Sequence, residues 1–312
     1  MQTSTAKPLT IAMIGTGTMG SPIGLNMIAA GHRVVAYDQF AEATSDLAAA
    51  GAAIAGSVAE AAAGADAVVL SLPGPTEVQQ AVAGAQGVLS ASPLPAVVID
   101  VSTNSPQMVA SLRSACAQAG TAFVDAPVSG GVAKAREGTL AVLVGASDEE
   151  FEAAAPVLAA FGSGGESVVH VGPSGSGTIA KIVNNQLFLA GATIVQEAYA
   201  LAAALGMDPA DAHEVISISS AAPYSKLAPL LLSRRFDDVI FRLDIAAKDI
   251  ALARSAATEA GLDLPVTAAA ADLYRDAVDS GFGSEVFHAT LKQLELKAGD
   301  LQVPPLKRRP RS

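Results

Sequence analysis

The chain is poor in the residues that build covalent and metal scaffolds. Its 312 residues include one cysteine, four histidines, four tyrosines and no tryptophan. A lone thiol, Cys116, cannot form an intrachain disulfide or a cysteine metal site, and its alanine-rich helical surroundings mark it as a core residue. His32, His170, His213 and His288 are widely spaced. No His/Asp/Glu grouping has ligand spacing, so no metal is expected. Basic residues are also scarce, 19 against 30 acidic ones, for a net charge of −11. That balance argues against a nucleic-acid surface. The one basic cluster, Lys307-Arg308-Arg309-Pro310-Arg311, follows Val303-Pro304-Pro305 and reads as a flexible end. No uninterrupted apolar run approaches the roughly 18 residues of a membrane span. Met1 to Pro8 has neither an apolar h-region nor the arginines of a transit peptide. A soluble, cytoplasmic protein with no membrane contact is expected.

What the chain does have is apolar content, 51% of residues, ample for a buried core. In the first half, short β-branched runs alternate with helical segments. Thr10 to Ile14, Arg33 to Tyr37, Asp66 to Ser71, Val97 to Asp100, Ala122 to Asp125, Leu140 to Val144 and Ser167 to Val171 read as strands. Ser57, Ser105-Pro106 and Asp148-Glu149-Glu150 mark helix starts between them. This alternation predicts an α/β fold with an open, mostly parallel, doubly wound sheet. After Gly172-Pro173-Ser174-Gly175 no strand is expected. A helix of about thirty residues should run from near Ser176 to Leu205, with Gly206 stopping it and Asp208-Pro209 starting the next. Four or five further helices complete an all-α C-terminal domain. The boundary is placed so that residues 1–172 form one domain and 173–312 the second, joined by the long helix.

Gly15-Thr16-Gly17-Thr18-Met19-Gly20 follows the first strand and opens a helix. Gly15 suits the tight turn, Gly17 lets backbone approach a pyrophosphate, and Gly20 allows close helix–strand packing. The helix N-terminus then meets the phosphates with its partial positive charge. Asp38 ends the second strand about twenty residues later, where a carboxylate can accept from an adenosine ribose. Its charge would repel a 2′-phosphate, and Gln39 and Phe40 offer no compensating arginine. A Rossmann-type domain that takes NAD rather than NADP is the expectation. Leu72-Pro73 and Ser102-Thr103 fall at strand C-termini, where such sheets face the nicotinamide half.

At the junction, Gly175-Ser176-Gly177-Thr178-Ile179-Ala180-Lys181-Ile182-Val183-Asn184-Asn185 places one ammonium and two carboxamides early in the long helix. Lys181 and Asn185 are four apart and share a face, which Phe188 extends. An inward lysine among apolar residues loses pKa to desolvation, which suits proton transfer near neutrality.

Four segments together resemble the β-hydroxyacid dehydrogenases of the 3-hydroxyisobutyrate dehydrogenase group. They are Gly15 to Gly20 with Asn26 and Ala30-Gly31-His32; Asp125-Ala126-Pro127-Val128-Ser129-Gly130-Gly131 with Gly138-Thr139-Leu140; Gly175 to Asn185; and Lys248-Asp249. The resemblance implies that Lys181 is the catalytic acid/base and that Asn185 orients the substrate. It implies that Ser129, Gly130 and Gly131 hold the substrate carboxylate, and successive glycines do expose N–H groups as an anion nest. Lys248 resembles the family lysine that reaches toward nicotinamide and substrate; its plainer role is a helix lysine paired with Asp244 or Asp249. The implied activity is NAD-dependent oxidation of a small 3-hydroxy acid. The alternative is an NADPH- or NADH-dependent reductase of a small aldehyde acid such as tartronate semialdehyde. Tyr224 and Lys226 add polar groups that suit a more polar or doubly anionic substrate. The alanine- and leucine-rich long helix needs burial on several sides, which suggests a homodimer or homotetramer.

Overall fold

A computed structural model describes residues 8–299 and 301–306. The basic cluster at 307–311 and residues 1–7 of the N-terminal segment lie outside them. The chain divides into two compact units, Met1–Lys181 and Ile182–Ser312.

The described part of the first unit is built on nine strands: β1 (Thr10–Ile14), β2 (Arg33–Tyr37), β3 (Ala53–Ile54), β4 (Ala67–Leu70), β5 (Val97–Asp100), β6 (Ala122–Asp125), β7 (Val128–Ser129), β8 (Ala141–Gly145) and β9 (Val168–Gly172). They lie in the order β3-β2-β1-β4-β5-β6-β8-β7, with β9 on β8. β1, β4 and β5 are buried along nearly their whole length, as central parallel strands covered on both faces must be. Their successive side chains feed two cores. Ile11, Met13, Val69 and Ile99 belong to one, and Ala12, Ile14, Val68, Leu70 and Val98 to the other. The chain leaves β1 toward β2 on one side and returns to β4 on the other. A crevice therefore opens at the C-terminal ends of β1 and β4, where doubly wound sheets bind ligands.

One edge departs from the parallel expectation. β8 runs antiparallel to β6 and β7, although it is parallel to β9. Only a helix of seven residues, Gly131–Glu137, lies between β7 and β8. That link falls short of the dozen or more residues a parallel crossover takes.

The helix Ser176–Ala204 runs for 29 residues, roughly 43 Å. Gly206, at φ 83°, follows it, and Asp208 caps the next helix by accepting the Ala210 N–H. Ser57 and Ser105 cap their helices as expected, and Ser147 forms a full capping box with Glu150. The expectation about apolar runs needs correcting here. Counted with its scattered polar residues, this helix is long and apolar enough to cross a membrane by length and composition. One polar residue in its apolar stretch is nevertheless satisfied inside protein. Gln196 is buried, donating to the His288 carbonyl at 2.7 Å and accepting from Thr290 Oγ1 at 2.7 Å. It is a core helix.

The described part of the second unit continues with six α-helices rather than four or five: Pro209–Ile218, Ala222–Ser225, Ala228–Leu231, Leu243–Glu259, Pro265–Ala277 and Thr290–Lys297. Two of them are single turns, each opened by a proline, and too short to show a 3.6-residue periodicity in the sequence. Their core gathers Leu189, Tyr199, Leu231, Ile250, Tyr274 and Phe287.

Candidate active site

The glycine turn is shaped by backbone contact. Gly15 has φ 83° and donates to the Tyr37 carbonyl at 2.9 Å. A Cβ on Gly15 would stand 2.3 Å from the Ser71 carbonyl oxygen, and one on Gly20 would stand 1.9 Å from that of Gly15. No side chain fits at either position. The following helix, Gly20–Ala29, has no side-chain cap at Met19, so a bound anion can take that place. Gly17 and Thr18 are exposed, with open space beside Gly17. These features fit a dinucleotide pyrophosphate.

Asp38 does more than the sequence suggests. Its Oδ2 accepts the Thr16 N–H at 2.7 Å and its Oδ1 accepts the Phe40 N–H at 3.0 Å. The carboxylate thus ties the glycine turn to the end of β2. Oδ2 also accepts the Thr16 hydroxyl at 3.4 Å, while Oδ1 keeps a second lone pair with which a ribose hydroxyl can be accepted.

The loops carrying Leu72-Pro73 and Thr103 are joined through Ser102. Leu72 N–H donates to Ser102 Oγ at 2.9 Å, while Ser102 N–H and Asn104 Nδ2 donate to the two oxygens of Asp100 at 3.0 and 3.1 Å. Asp100 is buried, and desolvation pushes its carboxyl up to about 6 against those hydrogen bonds. Asp100 was not singled out in the sequence, although an acid closing the all-apolar run Val97-Val98-Ile99 is a signal.

On the far side of the same sheet, Ser129 lies half-buried in β7, and Gly130 and Gly131 follow it exposed, at φ 137° and 69°. The aliphatic stem of Lys134 crosses Gly130, 2.7 Å from where a Cβ would sit. A cation on that stem accompanies the glycines, and sequence reading missed it. Asn26 holds the seven-residue helix in place by donating to the Ala135 carbonyl at 2.6 Å. Lys181 is half-buried on the long helix, within the first unit.

In the second unit, Asn185 is buried and donates from Nδ2 to Asp249 Oδ2 at 2.7 Å. Lys248 Nζ stands 2.9 Å from Asp249 Oδ1, the neighbour pairing that its sequence position allowed. Asn184 Nδ2 donates to Asn185 Oδ1 at 3.1 Å, which sets the carboxamide's orientation.

The histidines are occupied elsewhere. His32 accepts the Leu9 N–H, His170 stacks on Phe151, and His213 pairs with the Tyr199 hydroxyl at 2.8 Å. His288 is buried, and desolvation lowers it to about 4. Cys116 is buried and its thiol is pushed up to about 11. No cluster of potential metal ligands occurs among the described residues.

A family model for the NAD-binding domain of 6-phosphogluconate dehydrogenase matches residues 10–172. A second, described as the NAD-binding domain of NADP-dependent 3-hydroxyisobutyrate dehydrogenase, matches residues 175–294. The chain belongs to the β-hydroxyacid dehydrogenases of the 3-hydroxyisobutyrate dehydrogenase type. It is 34% identical to 2-(hydroxymethyl)glutarate dehydrogenase of Eubacterium barkeri, over 94% of this chain and 97% of that one. It is 32% identical to the NAD-dependent L-serine dehydrogenase of Pseudomonas aeruginosa, over 93% and 99%. Among solved structures, Mycobacterium tuberculosis 3-hydroxyisobutyrate dehydrogenase with L-serine superposes with a TM-score of 0.81 at 30% identity, covering 92% of this chain and 99% of that one. As a β-hydroxyacid dehydrogenase the chain is an NAD-binding oxidoreductase acting on CH–OH groups, and the cradle at Gly15–Gly20 lies within the matched NAD-binding region.

Proposed function

We propose that the chain oxidises a small 3-hydroxy acid to its semialdehyde or keto acid, with NAD⁺ in preference to NADP⁺. The carboxylate of Asp38 carries the preference: it stands at the end of β2, already bound to the glycine turn, and its charge opposes a 2′-phosphate. NAD, when bound, supplies the hydride acceptor. Ser129, Gly130 and Gly131 hold the substrate carboxylate, and Asn185 orients the substrate. Neutral Lys181 accepts the hydroxyl proton; in the reverse direction its ammonium returns it. Lys248 stays near Asp249, a charge held beside the carboxamide of Asn185.

Two observations bear on the substrate class. Tyr224 and Lys226 are exposed polar groups in the second unit. The Eubacterium relative is named for a substrate with two carboxylates. A doubly anionic 3-hydroxy acid is therefore tested beside the monocarboxylates.

The helix Ser176–Ala204 also presents an open seam. Leu187, Ile194 and Leu201 recur every seven residues, with Leu205 four further on, and all four are exposed. Heptad spacing of exposed apolar residues is what helix pairing buries, so the working form is a homodimer or homotetramer.

Initial rates are to be measured on 3-hydroxyisobutyrate, 3-hydroxypropionate, glycerate, serine and 2-(hydroxymethyl)glutarate, each with NAD⁺ and NADP⁺. Turnover with NAD⁺ that falls 10²- to 10⁴-fold in Lys181→Ala, with NADH affinity kept, is the expected result. No turnover of any acid, with tartronate semialdehyde reduced instead, would replace this function with the reductase.

A further inference from the structure

Asp125 ends β6 with its carboxyl buried, 1% exposed. Its Oδ1 accepts the Gly175 N–H at 2.7 Å, and its Oδ2 accepts the Thr178 N–H at 2.8 Å. These donors belong to the start of the long helix, where the first N–H groups have no acceptor within the helix. A carboxylate there satisfies two of them and opposes the positive end of the helix dipole. The residues lie 50 and 53 positions apart in sequence, so the cap is tertiary rather than local.

The seating is also steric. A Cβ on Gly177 would stand 2.2 Å from the Leu143 carbonyl oxygen, and one on Gly145 would stand 2.6 Å from Asp125 Oδ1. The first turn of the helix therefore touches the backbone of β8 and cannot slide along it. Three residues beyond Thr178 comes Lys181, and four beyond Asp125 comes Ser129. The carboxyl thus anchors the origin of the segment that carries Lys181, and a helix carries any shift of its first turn on to the next.

We propose that Asp125 is a positioning residue, which fixes the first turn of the long helix and thereby places Lys181 for proton transfer. The role rests on Lys181 being the acid/base. It concerns the rate of proton transfer, not cofactor affinity, because neither hydrogen bond involves the glycine turn at Gly15–Gly20.

The test is Asp125→Asn, which keeps the volume and one acceptor oxygen but sets an N–H group against an N–H group at the other bond. The expected result is a 10- to 100-fold fall in kcat, with KM for the hydroxy acid changed less than kcat. The NADH dissociation constant, read by fluorescence, stays within twofold. The solvent deuterium isotope effect on kcat grows, because proton transfer has become slower. A kcat within twofold of the unaltered enzyme overturns the proposal. So does a fall in kcat with an unchanged isotope effect, or a parallel loss of NADH affinity.

Gly175→Ala carries the test if Asp125→Asn does not fold. It keeps the carboxylate and meets open space, with φ 93° as its only strain. A 3- to 10-fold fall in kcat with the same isotope signature supports the proposal, and unaltered kinetics overturn it. Lys181→Ala, run alongside, separates the two roles. Turnover surviving there sinks the acid/base assignment itself. Turnover lost there but untouched in Asp125→Asn sinks only the role of Asp125.

Discussion

Asp100 and Asp125 stand opposite each other in register on β5 and β6, and both carboxyls are buried. Each organises a different piece of the candidate site: Asp100 holds the loop of Ser102 and Asn104, and Asp125 holds the start of the long helix. Two buried acids side by side carry a cost in ionisation, and that cost is measurable.

Asp100 is raised to about 6 from 3.8, by burial first, with the charge of Asp125 also contributing. A raised carboxyl favours the folded state while it is neutral, and this contribution is lost as pH rises from about 4 through about 6. Two pKa units correspond to about 3 kcal/mol. His288, lowered to about 4, has the opposite sign: its contribution is present above about 6.5 and lost as pH falls toward 4. The difference between Asp100→Asn and the unaltered chain isolates the carboxyl. Urea denaturation at pH 4 to 7 should show that difference moving toward the variant by about 3 kcal/mol as pH rises. A flat difference would mean that Asp100 titrates as an ordinary acid.

Asp38→Ser removes both the charge facing a 2′-phosphate and the acceptor for the Thr16 N–H. The ratio of kcat/KM for NAD⁺ over NADP⁺ should fall at least tenfold, about 1.4 kcal/mol, mostly through weaker NAD⁺ use. Equal loss with both cofactors would assign Asp38 to loop support alone.

Gly20→Ala drives a methyl group to 1.9 Å from the Gly15 carbonyl oxygen. Overpacking of this kind costs about 1–3 kcal/mol. The thermal midpoint should fall, and NADH fluorescence titration should show weakened binding. Wild-type affinity in this variant would show that the turn adapts.

Asp249→Ala leaves the buried Nδ2 of Asn185 without its Asp249 acceptor and removes the carboxylate 2.9 Å from Lys248 Nζ. Removing one member of a buried polar set costs about 3 kcal/mol. Thermal unfolding should report that loss, and Asp249→Asn should recover part of it by keeping an acceptor for Asn185.

Leu201→Glu places a charge in the heptad seam of the long helix, at an exposed site where the isolated chain loses little. Sedimentation velocity should show a smaller species than for the unaltered protein. An unchanged mass would move the interface elsewhere.

The alternation of β-branched runs with helices, the glycine turn after β1 and the breaker before the long helix are local patterns, and each element appears close to its expected span. Strand burial and helix caps depend on residues a few positions apart, so the sequence by itself determined the doubly wound sheet, the helical second half and the NAD-binding class. Besides the two-residue strands β3 and β7 and the residues Asp100 and Lys134, three things escaped it. The antiparallel edge depends on the length of the link between β7 and β8, and the two one-turn helices are shorter than any periodic signal. The third is the set of long-range hydrogen bonds behind the candidate site. Asp38 meets Thr16 across 22 residues, Leu72 meets Ser102 across 30, and Asp125 meets Gly175 across 50. Those partners are chosen by which strands lie side by side: parallel pairing brings together the first two, whose positions the chain separates by whole βα units, and the antiparallel contact of β6 with β8 lies beside the third. Only the tertiary structure decided them, because a hydrogen bond depends on position in space and the sequence records only order along the chain.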